Sequence, residues 1–397
     1  MGVFKNPPNF TTYGDITMPS DPKIRRNVLD YKRDTYLGHK PNLNPEYPPI
    51  DCAVGYSQWG VSAAAVRVHE KNVLDVSSYP ELFYDKTLKP ALRDRFADAE
   101  IDASQIFLGH GSFNLAERLI HKFFQPTQML GVGPQFNEIP SEFVGAGGIY
   151  HPIPFGKDDF AFPLEKLIDE LLTGQYSTLY IDNPNNPHGS LLAIDNLRVL
   201  IQAAWTKGTI VLIDEAYADF VPDSASAAHL VNKFPNVAVI RSFSKCLGLA
   251  AYRVGYMFLS KELAQLYKQL DVPFEPVLHG AMMACATLND KEYLERVRQT
   301  VSQSKASVIS ALMSTGRYEL MPTHPSTSIL AVRSRDTEGD VVKDMESLGI
   351  SVEAGEAFRL TCKHWNNRYC RLRVPAVSLL QEFCRRITTL GEVHDVC

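Results

Sequence analysis

The stretch VAVIRSFSKCLGLAAYRVGYMF, residues 237–258, begins as a β-branched apolar run and ends in a cluster of reactive side chains. The run VAVI has the composition of a strand buried on both faces. Ser242, Ser244 and Lys245 follow it, and Arg253 stands eight residues beyond the lysine. Four upstream runs have the same character: IFLGHGS (106–112), MLGVGPQF (129–136), STLYIDNP (177–184) and TIVLIDEAY (209–217). LAERLIHKFF (115–124) and LRVLIQAAW (197–205) lie between them with helical spacing. Strands alternating with helices predict an α/β fold built on a mostly parallel sheet with helices on both faces.

Moving outward, residues 1–50 are rich in Pro, Asn, Asp and Tyr and read as an extended arm with little helix. Within the arm, Thr12 and Asp15 are candidates to cover a site. Residues 51–280 form the expected large domain. Residues 281–397 change pattern: a long helix over 292–313, strands near 328–334 and 371–376, and a last helix predict a smaller α+β domain.

The 397 residues are 45% hydrophobic and 21% charged, enough to bury a sizeable core. A net charge of −5 offers no basic field for nucleic acid. None of the seven cysteines forms a C-x-x-C pair and their number is odd, which argues against a disulfide framework or a metal site and for a reducing, cytoplasmic setting. The start MGVFKNPPNF lacks the pattern of a signal peptide, and no 18-residue apolar run is present, so no membrane span is expected.

Ligands of open α/β sheets gather outside the carboxyl ends of the strands. Gly111, Ser112, Asn186, Asp214, Tyr217, Ser242 and Lys245 stand at those ends. A lysine in an apolar site loses hydration of its charged form, so its amine is freed to attack a carbonyl. Lys245 therefore reads as a Schiff-base lysine, and pyridoxal 5′-phosphate (PLP) as its carbonyl partner. That cofactor makes further demands. Its ring nitrogen needs a carboxylate, for which Asp214 serves. Its phenolate oxygen needs donors, Asn186 and Tyr217. Its phosphate needs a cation, hydroxyls and backbone N–H groups: Arg253, Ser242, Ser244 and the Gly111-Ser112 turn. Phe136 is placed to face the ring.

The segments DNPNNPHG, DEAY and SFSKCLGLAAYRVGY resemble the fold-type-I PLP enzymes of aminotransferase class I/II, and within them the histidinol-phosphate aminotransferases. The matching order is Tyr79-Pro80-Glu81, Gly111-Ser112, Phe136, Pro184 to Gly189, Asp214 to Tyr217, Ser242 to Lys245 and Leu372-Arg373-Val374, over roughly residues 50 to 390. The resemblance implies that Lys245 carries the cofactor and then moves the substrate proton. It implies that Arg373 binds the substrate α-carboxylate, and that Tyr79 reaches the cofactor phosphate of a second subunit in a homodimer with shared sites. Gly55 joins Arg373 as a candidate substrate contact.

The chain departs from that family at GISVEAGEAF (349–358). The family's arginine for the substrate phosphate is matched by Glu353, and the usual P-Y-N reads Pro273-Phe274-Glu275. An anionic group about 4 Å from a carboxylate, at an effective dielectric of ~20, is repelled by roughly 4 kcal/mol. A cationic, arginine-like substrate is therefore expected. Because capreomycidine- and enduracididine-forming cyclases share this fold, the favoured expectation is elimination and intramolecular cyclisation of a hydroxylated arginine. The alternative is an aminotransferase of altered specificity. His188, where the family usually has Thr, is a loop histidine or a site residue.

Overall fold

The computed structural model describes residues 31, 33, 41–71, 77, 79–80 and 83–391, and the backbone of 10–13 and 16–19. Glu81 and the side chains of Thr12 and Asp15 lie outside the described residues. Phe10–Tyr13 and Ile16–Pro19 pair as antiparallel strands.

The apolar runs form the central sheet. Its seven strands lie in the order Ile106–Gly109, Gly255–Leu259, Val237–Ser242, Ile210–Asp214, Thr178–Asp182, Gln128–Gly133, Ile149–Pro154. Six run in one direction. Gly255–Leu259 is antiparallel to both of its neighbours. That strand and Ile149–Pro154 are absent from the sequence reading. The edge strand contains Pro152 and Pro154, which remove ladder donors and blur the strand signal. GYMFL is joined to Ser242 by residues 243–254, whose one helical element is the turn 250–252; without a crossover helix the strand returns antiparallel.

Helices Leu164–Leu172 and Ile194–Trp205 turn apolar faces inward through Leu167, Leu171, Leu197, Leu200 and Ile201. These join Leu130, Ile181, Ile213 and Val239 in one core. Leu115, Leu119, Ile139 and Phe143 cover the other face with Tyr180, Leu212 and Ile240. The 24-residue helix Lys291–Ser314 leads to an antiparallel sheet ordered Tyr318–Leu320, Ile329–Ser334, Tyr369–Arg373, Glu353–Ala354. Ile50–Asp51 pairs in parallel with Ile350–Ser351, and Ile50 and Cys52 pack into this second core. The chain thus touches the smaller unit before entering the large sheet.

A buried charge network fixes the strand end that carries Lys245. Arg241, wholly buried, donates to the carboxylates of Glu215 and Asp219 and, at 2.8 Å, to the hydroxyl of Tyr256. Arg95 reaches Asp219 at 2.6 Å and Asp223 at 2.8 Å. These bonds tie Val237–Ser242 to the turn after Ile210–Asp214, and so hold Lys245 against Tyr217. Replacing Arg241 by Met leaves Glu215 and Asp219 short of a buried partner, which costs about 3–5 kcal/mol. The urea midpoint of the apoprotein is expected to fall accordingly; an unchanged midpoint would show that the network contributes nothing to stability.

Candidate active site

Three parallel strands deliver their last residues, Asp182, Asp214 and Ser242, to one cavity of about 250 Å³. Its walls include Phe136, Asp182, Asn186, Asp214, Tyr217, Ser242, Ser244, Lys245 and Arg253. Gly55 and Tyr56 close it from the segment that follows Cys52.

Lys245 has its amine 5.6 Å from the centre of the Tyr217 ring. Burial, then the positive charges of Arg371, Arg253 and Arg373, push its pKa down to about 8, while Asp214 opposes the shift. A side chain at Gly55 would place Cβ 2.5 Å from the Tyr217 hydroxyl and 3.3 Å from the Lys245 amine. The glycine leaves the approach to the amine open. Asp214 accepts the N–H of Ala216 at 2.9 Å, and burial raises its pKa to about 7. It is a carboxylate that gains from a cation in the cavity. The Tyr217 hydroxyl is buried without a hydrogen-bond partner among the described residues.

At the other end, Arg253 donates to the Ser244 hydroxyl at 3.2 Å and to the Ala250 carbonyl at 2.9 Å. The Ser244 N–H meets the Ser242 hydroxyl at 3.1 Å. Arg253 holds φ +52°, a left-handed conformation that a non-glycine residue adopts at a cost. Gly111, at φ +91°, lets its backbone lie against this guanidinium; a Cβ there would stand 2.7 Å from Arg253 Nη2.

This donor set fits pyridoxal phosphate. The cavity brings together the Tyr217 phenol and the Asn186 amide, the Asp214 carboxylate, and the Arg253 guanidinium with Ser242, Ser244 and the adjoining Gly111 turn. When bound, the cofactor supplies an electron-withdrawing ring conjugated to the substrate α-carbon. Phe136 is positioned on the wall to cover a ring face.

Other expected residues stand elsewhere. Arg373 does not line the cavity. Its Nε donates to the Val54 carbonyl at 2.5 Å, its Nη2 to the Asp51 carbonyl and, at 3.2 Å, to the Asp51 carboxylate; the guanidinium lies 4.9 Å over the Tyr56 ring. Glu353 does not line it either: it pairs across the strands with Arg371, Oε2 to Nη2 3.5 Å. Glu275 is tied to Arg118 rather than to the cavity. Tyr79 is 74% exposed and stacks on Phe274 at 4.7 Å. His188 is a buried packing residue, 4.7 Å from Phe155 and 5.9 Å from Trp365, with burial lowering its pKa to about 3.

Arg371 and Asp182 are among the residues at the site that escaped the sequence reading. Arg371 donates to the Asn186 side-chain oxygen at 3.1 Å and to the Ala53 carbonyl. Its signal was the spacing in YCRLR: residues two apart on a strand share a face, so Arg371 follows Arg373. Asp182 lines the cavity one strand from Asp214, in register with it. Its signal was the repeated ending Ile-Asp of two strands, STLYID and TIVLID.

With this geometry in hand, comparison with known proteins is informative. The family model "Aminotransferase class I and II" matches residues 62–387. The chain is 28% identical over 313 residues to the histidinol-phosphate aminotransferase of Natronomonas pharaonis, covering 76% of this chain and 82% of that protein. It is 30% identical over 255 residues to that of Rubrobacter xylanophilus, 61% of this chain and 72% of the relative. A solved Sinorhizobium meliloti histidinol-phosphate aminotransferase in complex with pyridoxal 5′-phosphate superposes with TM-score 0.71 at 21% identity, covering 87% of this chain and 91% of that one. Thermus thermophilus aspartate aminotransferase with maleate gives 0.76 at 15%, covering 93% and 100%. At these identities the structures speak for the fold.

The lowered pKa of Lys245 makes a testable statement about pH. Its amine is protonated below about pH 8 and free above it. Capture of added pyridoxal phosphate by the apoprotein, followed by absorbance, is expected to accelerate about tenfold per pH unit up to that point and then level. A midpoint near that of a hydrated lysine, about 10.4, would mean the cavity does not activate this amine.

Proposed function

Because this chain belongs to the aminotransferase class I and II family, and uses pyridoxal phosphate, we propose that it moves the α-amino group between an amino acid and a keto acid. The observation that carries this reading is the arrangement of the Lys245 amine, Asp214 and Tyr217 in one cavity, with Arg373 bonded to the segment that lines it.

Each side chain has a task. Lys245, whose pKa burial and the nearby arginines bring down to about 8, takes the substrate α-proton and returns it at the carbon on the far side of the substrate nitrogen. Asp214 holds a positive charge at the cavity floor. Tyr217 and Asn186 donate at the phenolate side. Arg373 receives the substrate α-carboxylate in place of the Asp51 and Val54 carbonyls and the Asp51 carboxylate that its donors now meet. Gly55 leaves room for the substrate nitrogen beside Lys245.

The substrate side chain meets Tyr56, Phe113, Phe136 and Val54, a mostly apolar wall. Arg371 and Glu353 form a buried pair with no net charge. The expected charge reversal at Glu353 is therefore compensated by an arginine on the neighbouring strand. This removes the argument for a cationic tail, and with it the support for elimination and cyclisation of a hydroxylated arginine. An amino acid with an uncharged side chain fits this wall best. Tyr79, stacked with Phe274 on the surface, is read as a contact for a second copy of the chain. Among the described residues no helix is long and apolar enough to cross a membrane.

Incubating the holoenzyme with a panel of amino acids, with and without a keto acid, tests the reaction. A keto acid formed in step with amination of the added acceptor is expected. A product that has lost a side-chain group or closed a ring, with no need of an acceptor, would replace this reading by elimination. The charge argument has its own check. Replacing Glu353 by Gln leaves Arg371 uncompensated, so kcat/KM for glutamate relative to a neutral amino acid is expected to rise roughly tenfold. An unchanged ratio would place the pair outside the reach of the substrate.

A further inference from the structure

We propose that Asp182 is a positioning residue for the cofactor, setting Phe136 and Asn186 in register with one another through a single carboxylate. Oδ2 accepts the N–H of Phe136 at 3.1 Å and the N–H of Asn186 at 2.9 Å. Oδ1 accepts from the Asn185 amide at 2.9 Å, and that same amide donates to the Pro134 carbonyl at 3.1 Å. The turn after Gln128–Gly133 and the turn after Thr178–Asp182 are thereby joined at one side chain. The first turn carries the aromatic that covers the ring, and the second carries the amide that meets the phenolate oxygen.

The sheet does not require this carboxylate. The backbone of Asp182 is already paired with that of Asp214. An apolar residue would be cheaper at a position only 5% exposed. Burial and the neighbouring negative charge of Asp214 both work against ionisation here, raising the pKa to about 7 against the donors that lower it. A costly anion surrounded by three converging donors is the pattern of a charge held for placement. The arrangement also explains why one residue joins two loops: a carboxylate oxygen has lone pairs for both N–H groups, which a hydroxyl or a lone carbonyl could not direct at this separation while its other oxygen takes the Asn185 amide.

The inference rests on pyridoxal phosphate as the resident group, not on transamination, and its test reads the cofactor and not turnover. Apoproteins of the wild type, Asp182→Ala, Asp182→Asn, Phe136→Ala and the double variants are titrated with pyridoxal phosphate. Affinity and the visible-region circular dichroism of the bound cofactor are recorded. Asp182→Ala is expected to weaken binding about tenfold or more and to diminish the dichroic band, which reports the tilt of the ring. Asp182→Asn is expected to fall between, since its amide oxygen still accepts from the two N–H groups. Because Asp182 acts through the placement of Phe136, the combined loss is expected to be smaller than the product of the single losses. Independent, multiplying losses would overturn the proposal, as would an Asp182→Ala protein that keeps affinity and dichroism within about twofold of the wild type. If the alanine variant does not fold, Asp182→Asn with Phe136→Ala runs the same cycle and decides between the same two outcomes.

Discussion

The site depends on an amine kept from water. Lys245 stands at the end of an all-buried strand, on a cavity wall, with Asp214 on one side and three guanidinium groups within electrostatic reach. Removing hydration disfavours the ammonium form, and the arginines disfavour it further. Asp214 restrains the shift without cancelling it. The remaining groups of the cavity take their meaning from this balance. A fully hydrated lysine would not be free to attack a carbonyl near neutral pH.

The sheet turns that local chemistry into a site. Parallel strands end on the same edge, so Asp182, Asp214 and the residues after Val237–Ser242 arrive together although their sequence positions are far apart. The Arg241 network locks two of those strand ends. Arg253 just precedes the antiparallel strand, and Gly111 follows that strand's neighbour at the sheet edge. Their close approach needs a glycine on one side and a left-handed arginine on the other.

Glu353 shows how charge read along a chain misleads. Alone in GISVEAGEAF it is an anion where relatives have a cation, and a substrate of opposite charge follows by Coulomb's law. In the folded chain it faces Arg371 across two strands. The local field is then that of a pair, and its sign at the cavity depends on distances that a sequence does not contain. Arg373 teaches a related lesson. Its motif marked it as a carboxylate receptor, yet its donors are engaged by the Asp51 and Val54 carbonyls and by the Asp51 carboxylate.

The amino-acid sequence by itself determined the layered α/β architecture, because apolar β-branched runs and helical spacing are local patterns. It also pointed to Lys245, Asp214, Tyr217, Asn186 and Arg253, which line one cavity, because most of them follow strand ends where such groups converge. Strand Ile149–Pro154 was hidden by its prolines, and Gly255–Leu259 by its nearness to the reactive cluster. The tertiary structure alone decided that Asp182 bridges two turns, that Arg371 balances Glu353, and that His188 packs among aromatic rings. Each of these is a relation between residues distant in the chain or on neighbouring strands, and such relations are fixed by pairing register and burial, not by local composition.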